Sequence, residues 1–303
     1  MHLPPFLINR TFRSKLISKL LLLPTIFSGL LCIIIAIVLF WRSQKILSLY
    51  SIPELLLSSA WSPMAGKFGY LPFIFGTIWV TILSMVIAIP VSILAALYLS
   101  EYAGNHARRL IQPFIDLLAG IPSVVYGLFG ILLIVPFIRD TIAPFFMVKT
   151  SGYCVLAGGL ILSVMVFPIL ISISYEVMRA VPVSKREAAL SLGASNWEAT
   201  KHVVLRISFP GLVAAIILGF SRAIGETMAV LMVVGNVPQI ASSVFDPAYP
   251  IPSLIANNYG EMMSIPLYDS ALMFAAFLLL IVITMSIILS KLLLRNISRR
   301  ISQ

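Results

Sequence analysis

Apolar and polar positions in this chain fall into long blocks instead of alternating residue by residue. Five runs carry no Asp, Glu, Lys or Arg: Leu20–Phe40, Phe73–Leu99, Leu117–Ile138, Thr150–Tyr175 and Ser270–Ser290. A helix that crosses a bilayer needs about 20 apolar residues, so each run predicts a spanning helix. A sixth run, Pro210 to about Val234, is equally apolar but contains Arg222 and Glu226. The pattern therefore predicts an all-α polytopic membrane protein with six transmembrane helices. Residues 1–303 form one transmembrane domain, and both termini lie on the same side of the bilayer.

Composition agrees. The chain is 60% hydrophobic and 11% charged, against roughly 25% charged in soluble domains. A net charge of +10 would fit nucleic-acid binding if the charges shared a face, but they lie between the apolar runs. Fifteen Lys and Arg fall in the N-terminal tail (1–19), the 100–112 connection, the 176–209 connection and the C-terminal tail. Five fall on the other side, and segment 235–269 has none. That bias puts both termini in the cytoplasm. The first run is longer than a signal-peptide core and ends in Phe-Trp-Arg with no small-residue cleavage site, so it is expected to stay as the first span. Leu31 before Cys32 argues against lipoprotein cleavage. Cys32 and Cys154 have no metal-ligand partners at useful spacing and are expected to pack as small hydrophobes.

The segments 41–72 and 236–269 are then external loops. Pro53, Pro63 and Pro72 in the first, and Pro238, Pro247, Pro250, Pro252 and Pro266 in the second, predict ordered loops with short helical turns. The charges of the second are acidic: Asp246, Glu261 and Asp269. Pro122 and Pro136 are expected to interrupt or bend the third span. Asp116 is placed near that span's N-terminus, where a carboxylate is favoured. There is no GxxxxGK[ST] phosphate loop, so this chain does not hydrolyse ATP by itself. His2, His106 and His202 lie at interfaces or tails, and neither HExxH nor GxSxG occurs. No catalytic residue, cofactor or metal site is expected.

The longest cytoplasmic connection, 176–209, contains PVSKREAALSLGASNWEATKHVVL, Pro182 to Leu205. Ser184 with Glu187, and Ser195 with Glu198, each have the spacing of a capping box. Gly193 between them fits the left-handed position that ends a helix. Two short helices meeting at Gly193-Ala194 are predicted. The first shows Ala188 and Ala189, small enough for close approach by another protein; an ordinary surface helix is the plainer alternative.

This connection resembles the EAA loop of ABC importer permeases, in which EAA is followed by three residues, Gly, nine residues and Ile-x-Leu-Pro. Glu187-Ala188-Ala189, Gly193 and Val203-Val204-Leu205 match, while Arg206 stands where the family has proline and Pro210 is expected to start the next helix instead. Ala119–Pro136 and Ser221–Asn236 resemble permeases of phosphate-specific ABC importers. Gly225–Val230, GETMAV, and Trp61–Thr81 are similar to their C-type subunit. The resemblance covers about residues 60–290. It implies a type I ABC importer permease fold in a bacterial inner membrane. It further implies a second, A-type permease, an ATPase dimer, an extracytoplasmic phosphate-binding protein, and phosphate as the substrate. In the family, the short helix of the EAA loop docks on the ATPase, so Glu187, Ala188, Ala189 and Gly193 would be the coupling element. Permeases for molybdate, sulfate or amino acids share that loop. An ion-gradient-driven anion transporter would be expected to carry inverted repeats, and none is seen.

Arg222 and Glu226, one helical turn apart, would share a face. A lone arginine in a bilayer costs about 2.5–3.5 kcal/mol on insertion scales. One reading is a self-neutralising pair that locks helices. Buried pairs often stabilise no more than packed hydrophobes, so the other reading, a substrate pathway, is preferred. Arginine's fork donates to two phosphate oxygens at once, and phosphate near neutral pH keeps a proton to donate to a carboxylate. On a helix over 210–234, Arg222 would be central. Ala215, Gly219 and Ala223 repeat at the small-xxx-small spacing of close helix packing, compatible with a partner permease on that face.

Overall fold

The computed structural model describes residues 5–260, 265 and 267–301, without the side chains of 5–13, 15, 16, 289, 290 and 293–301. The first three tail cations, Arg10, Arg13 and Lys15, and the loop acid Glu261 thus lie outside the described side chains. Among the described residues, six helices are long and apolar enough to cross a membrane.

The first is α1, Pro5–Arg42, whose apolar part is Ile17–Arg42. Next come the short helices α2 (Gln44–Leu49) and α3 (Ile52–Leu57), then a hairpin of β1 (Trp61–Ser62) and β2 (Lys67–Phe68). The second span, α4, runs Leu71–Tyr102 and finishes in a wide π-turn from Tyr98 to Tyr102. α5 is Asn105–Gly120, α6 Ser123–Phe145 and α7 Val155–Arg179. α8 is the short helix Val183–Ser191, and α9 the long one, Asn196–Ile224. A single turn α10 (Met228–Leu231) and helix α11 (Ile251–Asn258) precede the last helix α12, Tyr268–Ile301.

The centre of the bundle is α4 against α7, with α9 laid across both. Missing side chains set the spacing. Gly159 sits where a Cβ would stand 2.8 Å from a Leu83 methyl, and at Gly219 it would stand 2.8 Å from a Leu170 methyl. Val80, Leu162, Ala215, Ala223 and Val230 form one buried cluster at this junction. The Ala215, Gly219, Ala223 face is thus spent inside the subunit, against Val166 and Leu170 of α7, and is not a free face for a partner.

Three sequence expectations change. The third span does not begin at Leu117. Pro122 holds Ile121 extended (φ −67°, ψ 129°), which a residue before proline favours. The chain therefore breaks after Gly120. Residues 105–120 become a separate amphipathic helix, and the span shifts to Ser123–Phe145. Asp116 consequently sits exposed near the C-terminal end of α5, not at the start of the span. Within α6, two π-turns, Gly130–Ile134 and Ile138–Ile142, flank Pro136, widening the helix where proline cannot donate and its ring crowds the preceding turn. The shifted span also takes in Arg139 and Asp140, which pair through two hydrogen bonds of 2.7 and 2.8 Å.

The fifth span differs most. It begins at Asn196, runs through Arg206 and Pro210, and ends at Ile224. Pro210 lies inside the helix and does not start it; a π-turn at Thr200–Val204 precedes it.

The expected loops are ordered. Around Trp61, the rings of Phe73, Tyr70 and Phe68 lie 4.8, 5.5 and 5.7 Å away, each nearly edge-on. The Tyr70 hydroxyl donates to the Ala271 carbonyl at 2.7 Å, tying this cluster to α12. By contrast, α1 is joined to the bundle mainly at one end. Ser270 donates to the Arg42 carbonyl and accepts from the Ile46 N–H, and Arg42 lies 3.6 Å from Asp269. Most of its apolar side chains are uncovered.

Candidate functional site

Ile224 is the last helical residue of α9, and Gly225, Glu226 and Thr227 break the helix before α10. The break is set by the packing of residues further along the chain. Gly127 and Gly130 of α6 leave room for Met232 and Val233, where a Cβ would stand 2.5 Å from the Met232 sulfur and 2.6 Å from a Val233 methyl. Beyond them, Gly235 (φ 95°) and Asn236 (φ 54°) are both left-handed and turn the chain outward. Asn236 donates to the Leu231 carbonyl at 2.8 Å, and its Oδ1 has no partner among the described residues.

Arg222 and Glu226 therefore do not share a helical face. Among the described residues they form no ion pair within 4.0 Å, so the self-neutralising pair is not formed. Arg222, in the last turn of α9, is exposed on the surface of the single subunit and within electrostatic reach of Tyr126 on α6. Tyr126 itself donates to the Leu118 carbonyl at 2.7 Å. Glu226 is half-buried. Its Oε1 accepts the Ala229 N–H at 3.3 Å, a cap on the restarted helix. It lines a narrow cleft with Thr77, Thr81, Pro250 and Pro252. The two charges diverge: one faces out of the bundle, the other into it.

The depth of Arg222 comes from its neighbours. The adjoining Ala223 packs with Val80, nine residues into α4, and Leu162, seven into α7. At 1.5 Å per residue that is roughly 10–14 Å from those helix starts, near the middle of a ~30 Å hydrocarbon layer. A cavity of about 350 Å³, lined by Ser151, Tyr153, Met232, Asn236 and Pro247 among others, lies on the side of the break nearer the 236–250 segment.

The other candidate residues lie at the far end of the same helix. Gly193 is left-handed (φ 86°). Its N–H donates to the Leu190 carbonyl, and that of Ala194 to the Ala189 carbonyl, closing α8 in a Schellman motif. Ser195 and Glu198 form the expected capping box. Ser184 and Glu187 do not, because α8 starts two residues earlier than the box requires: Pro182 is its N-cap and makes no side-chain bond. Glu187 and Ala188 are exposed and Ala189 half-buried. Apolar side chains on and beside this helix stand in the open, with Leu192 90% exposed. From Asn196 to Arg222 the helix is continuous except for its π-turn, about 40 Å of stiff chain at 1.5 Å per residue.

Sequence reasoning missed Arg186 and Glu101, which meet across 85 positions in a two-hydrogen-bond pair. No local pattern marks them.

Residues 88–303 match the family described as "Binding-protein-dependent transport system inner membrane component". The chain is 35% identical to the "Phosphate transport system permease protein PstC" of Xylella fastidiosa (strain 9a5c), over 96% of this chain and 94% of that protein. It is 43% identical to the "Probable ABC transporter permease protein YqgH" of Bacillus subtilis (strain 168), over 69% of this chain and 66% of that one. A solved bacterial ABC transporter "involved in the import of the acidic polysaccharide alginate" superposes with a TM-score of 0.58 at 15% identity, covering 95% of this chain and 98% of that one. At that identity the likeness concerns the fold alone.

Proposed function

The chain belongs to the binding-protein-dependent transport system inner membrane components, and from that premise we propose that it is the C-type permease subunit of an ATP-driven importer of inorganic phosphate. The observation that carries the substrate is the 35% identity across nearly the whole chain with the Xylella phosphate permease. The fold alone does not choose a substrate, since the alginate transporter shares it.

In this reading the basic end of the bundle, with residues 176–209, faces the cytoplasm, which the charge bias supports, and both termini lie there. An ATPase dimer hydrolyses ATP and docks on Glu187, Ala188, Ala189 and Gly193. A second permease covers the face that exposes Arg222 and completes the pathway. A binding protein delivers phosphate at the opposite, loop-rich end. Arg222 meets the anion where the helix breaks, and its fork donates to two phosphate oxygens. The interior there is wet, the setting in which irregular backbone such as residues 225–227 is tolerated at membrane depth. Glu226 does not pair with Arg222; it caps α10 and fixes the geometry of the break.

The test is uptake into vesicles holding the complete complex, with ATP inside and the binding protein outside. Labelled phosphate is expected to accumulate, and sulfate and molybdate are not. Preferential uptake of either of those, or phosphate entry that ignores ATP, overturns the assignment.

A further inference from the structure

Helix α8 buries none of its own residues. It lies at the basic end with its apolar side chains largely uncovered, and a cavity of about 240 Å³ separates part of it from the bundle, lined by Glu101, Arg186, Leu190, Asn196 and Thr200 among others. Apolar packing therefore does not hold it, and something else must.

One side chain does. Arg186 points inward while its neighbours Lys185 and Glu187 are exposed. Its Nε donates to Glu101 Oε2 at 3.1 Å and its Nη2 to Glu101 Oε1 at 3.0 Å. The same Nη2 donates to the Met178 carbonyl at 2.9 Å, and Nη1 to the Val181 carbonyl at 2.7 Å. Four of the five guanidinium N–H groups are thus used. Glu101 lies in the π-turn that ends α4, and Met178 lies in the last turn of α7, where its carbonyl has lost the regular helical donor and also takes the Val181 N–H at 3.3 Å. The pair is well sheltered, with 19% and 10% of the two side chains exposed.

We propose that the Arg186–Glu101 pair is the strut that makes the coupling helix move as one body with the α4–α7 pair, so that force applied at α8 reaches the break beside Arg222. The inference rests on the importer reading above. Two parallel hydrogen bonds fix both distance and rotation. The carbonyl bonds bring in the end of α7. A sheltered ion pair is a poor way to gain stability compared with packed hydrophobes, whereas a tie of fixed geometry across an open cavity is what transmission requires. The second route, along α9, passes through the π-turn at Thr200–Val204. The strut runs directly to the two helices whose side chains hold Ala223.

The test uses the assembled complex in vesicles on a Cys32→Ser background, with spin labels at the exposed positions Ser184 and Leu94. The label separation is expected to be the same with and without trapped ATP, and to change between those states in Arg186→Gln and Glu101→Gln. Both variants are expected to keep ATP hydrolysis while phosphate uptake per ATP falls at least about five-fold, the low end of ordinary coupling between sites. The double variant is expected to be no worse than either single one, and Arg186→Lys to fall between. A separation as constant in the variants as in the parent overturns the strut. So does hydrolysis that falls in step with uptake. Co-purification of the ATPase with each variant distinguishes lost coupling from lost assembly. If phosphate is not the cargo, the parent takes none up, and the label separations still decide the strut.

Discussion

Arg222 and Glu226 are four residues apart, yet the backbone break between them sends one outward and the other into a cleft with Thr77 and Thr81. Arg222→Gln is expected to abolish phosphate uptake with the complex intact, and Glu226→Gln to weaken it by loosening α10. Exchanging the two charges should restore nothing, because there is no pair to re-form; recovery of uptake in the exchange variant would show that they meet during transport. The 182–198 connection offers a sharper contrast between like residues. Ser195→Ala removes a formed cap and should cost about 1 kcal/mol of stability, whereas Ser184→Ala removes none and should be nearly neutral in thermal unfolding. Gly193→Ala forces a side chain into a left-handed position, at a cost of about 1 kcal/mol, and should unwind the end of α8 and weaken ATPase co-purification.

Whole elements show where sequence is sufficient and where it is not. Spans one, two, four and six follow from uncharged length alone, because a bilayer admits little else. The third and fifth do not, since their ends are set by events that hydropathy does not register. Ile121 is held extended by the proline after it, and that signal was present in the sequence. The break after Ile224 has no comparable local cause: Gly225 adopts φ −94°, which any residue can take. Its cause is tertiary, the notch that Gly127 and Gly130 open in α6 for Met232 and Val233. Those two glycines were the available clue. Gly130→Ala should test it, costing about 1–3 kcal/mol through overpacking against a branched side chain and lowering the unfolding temperature. The loop beyond the break has a pH limit of its own. The Ser242 hydroxyl first, then the Ser243 and Ser242 N–H groups, hold the Asp246 carboxyl below its ordinary value of 3.8. A lowered value means that the stabilisation is full above about pH 4 and is lost as pH falls through the folded value. Proteolysis of segment 236–250 should therefore accelerate below roughly pH 4, and Asp246→Asn should remove that step.

For the whole molecule, six helices account for the topology but not for closure. Long apolar faces on α1 and α6 have no cover among the described residues, and Arg222 lies on an open side. The proposed pairing with a second permease would supply that cover. Apolar run length and charge order were enough for the count of spans. They were silent on Arg186 and Glu101, because a tie between positions 85 apart exists only once α4 and α7 lie side by side.

The interrupted helix has a consequence for the life of the subunit before it is assembled. Where α9 stops at Ile224, the regular i to i+4 bonding of its last turn ends, with the Ala223 carbonyl taking the Glu226 N–H at 3.2 Å instead, beside an exposed arginine. In a bilayer, each peptide group left without a partner costs several kcal/mol. A lone copy released into lipid bears the cost of its exposed arginine and of whatever part of the break its own hydrogen bonds do not satisfy. It should be retained by the insertion machinery or destroyed by membrane proteases, and a pulse-chase should show a short half-life when the second permease is not synthesised. Replacing Arg222 with Leu, which removes the exposed charge beside the break, should lengthen the life of the orphan while abolishing transport. The kink that serves the assembled importer would then also mark each unassembled copy for removal.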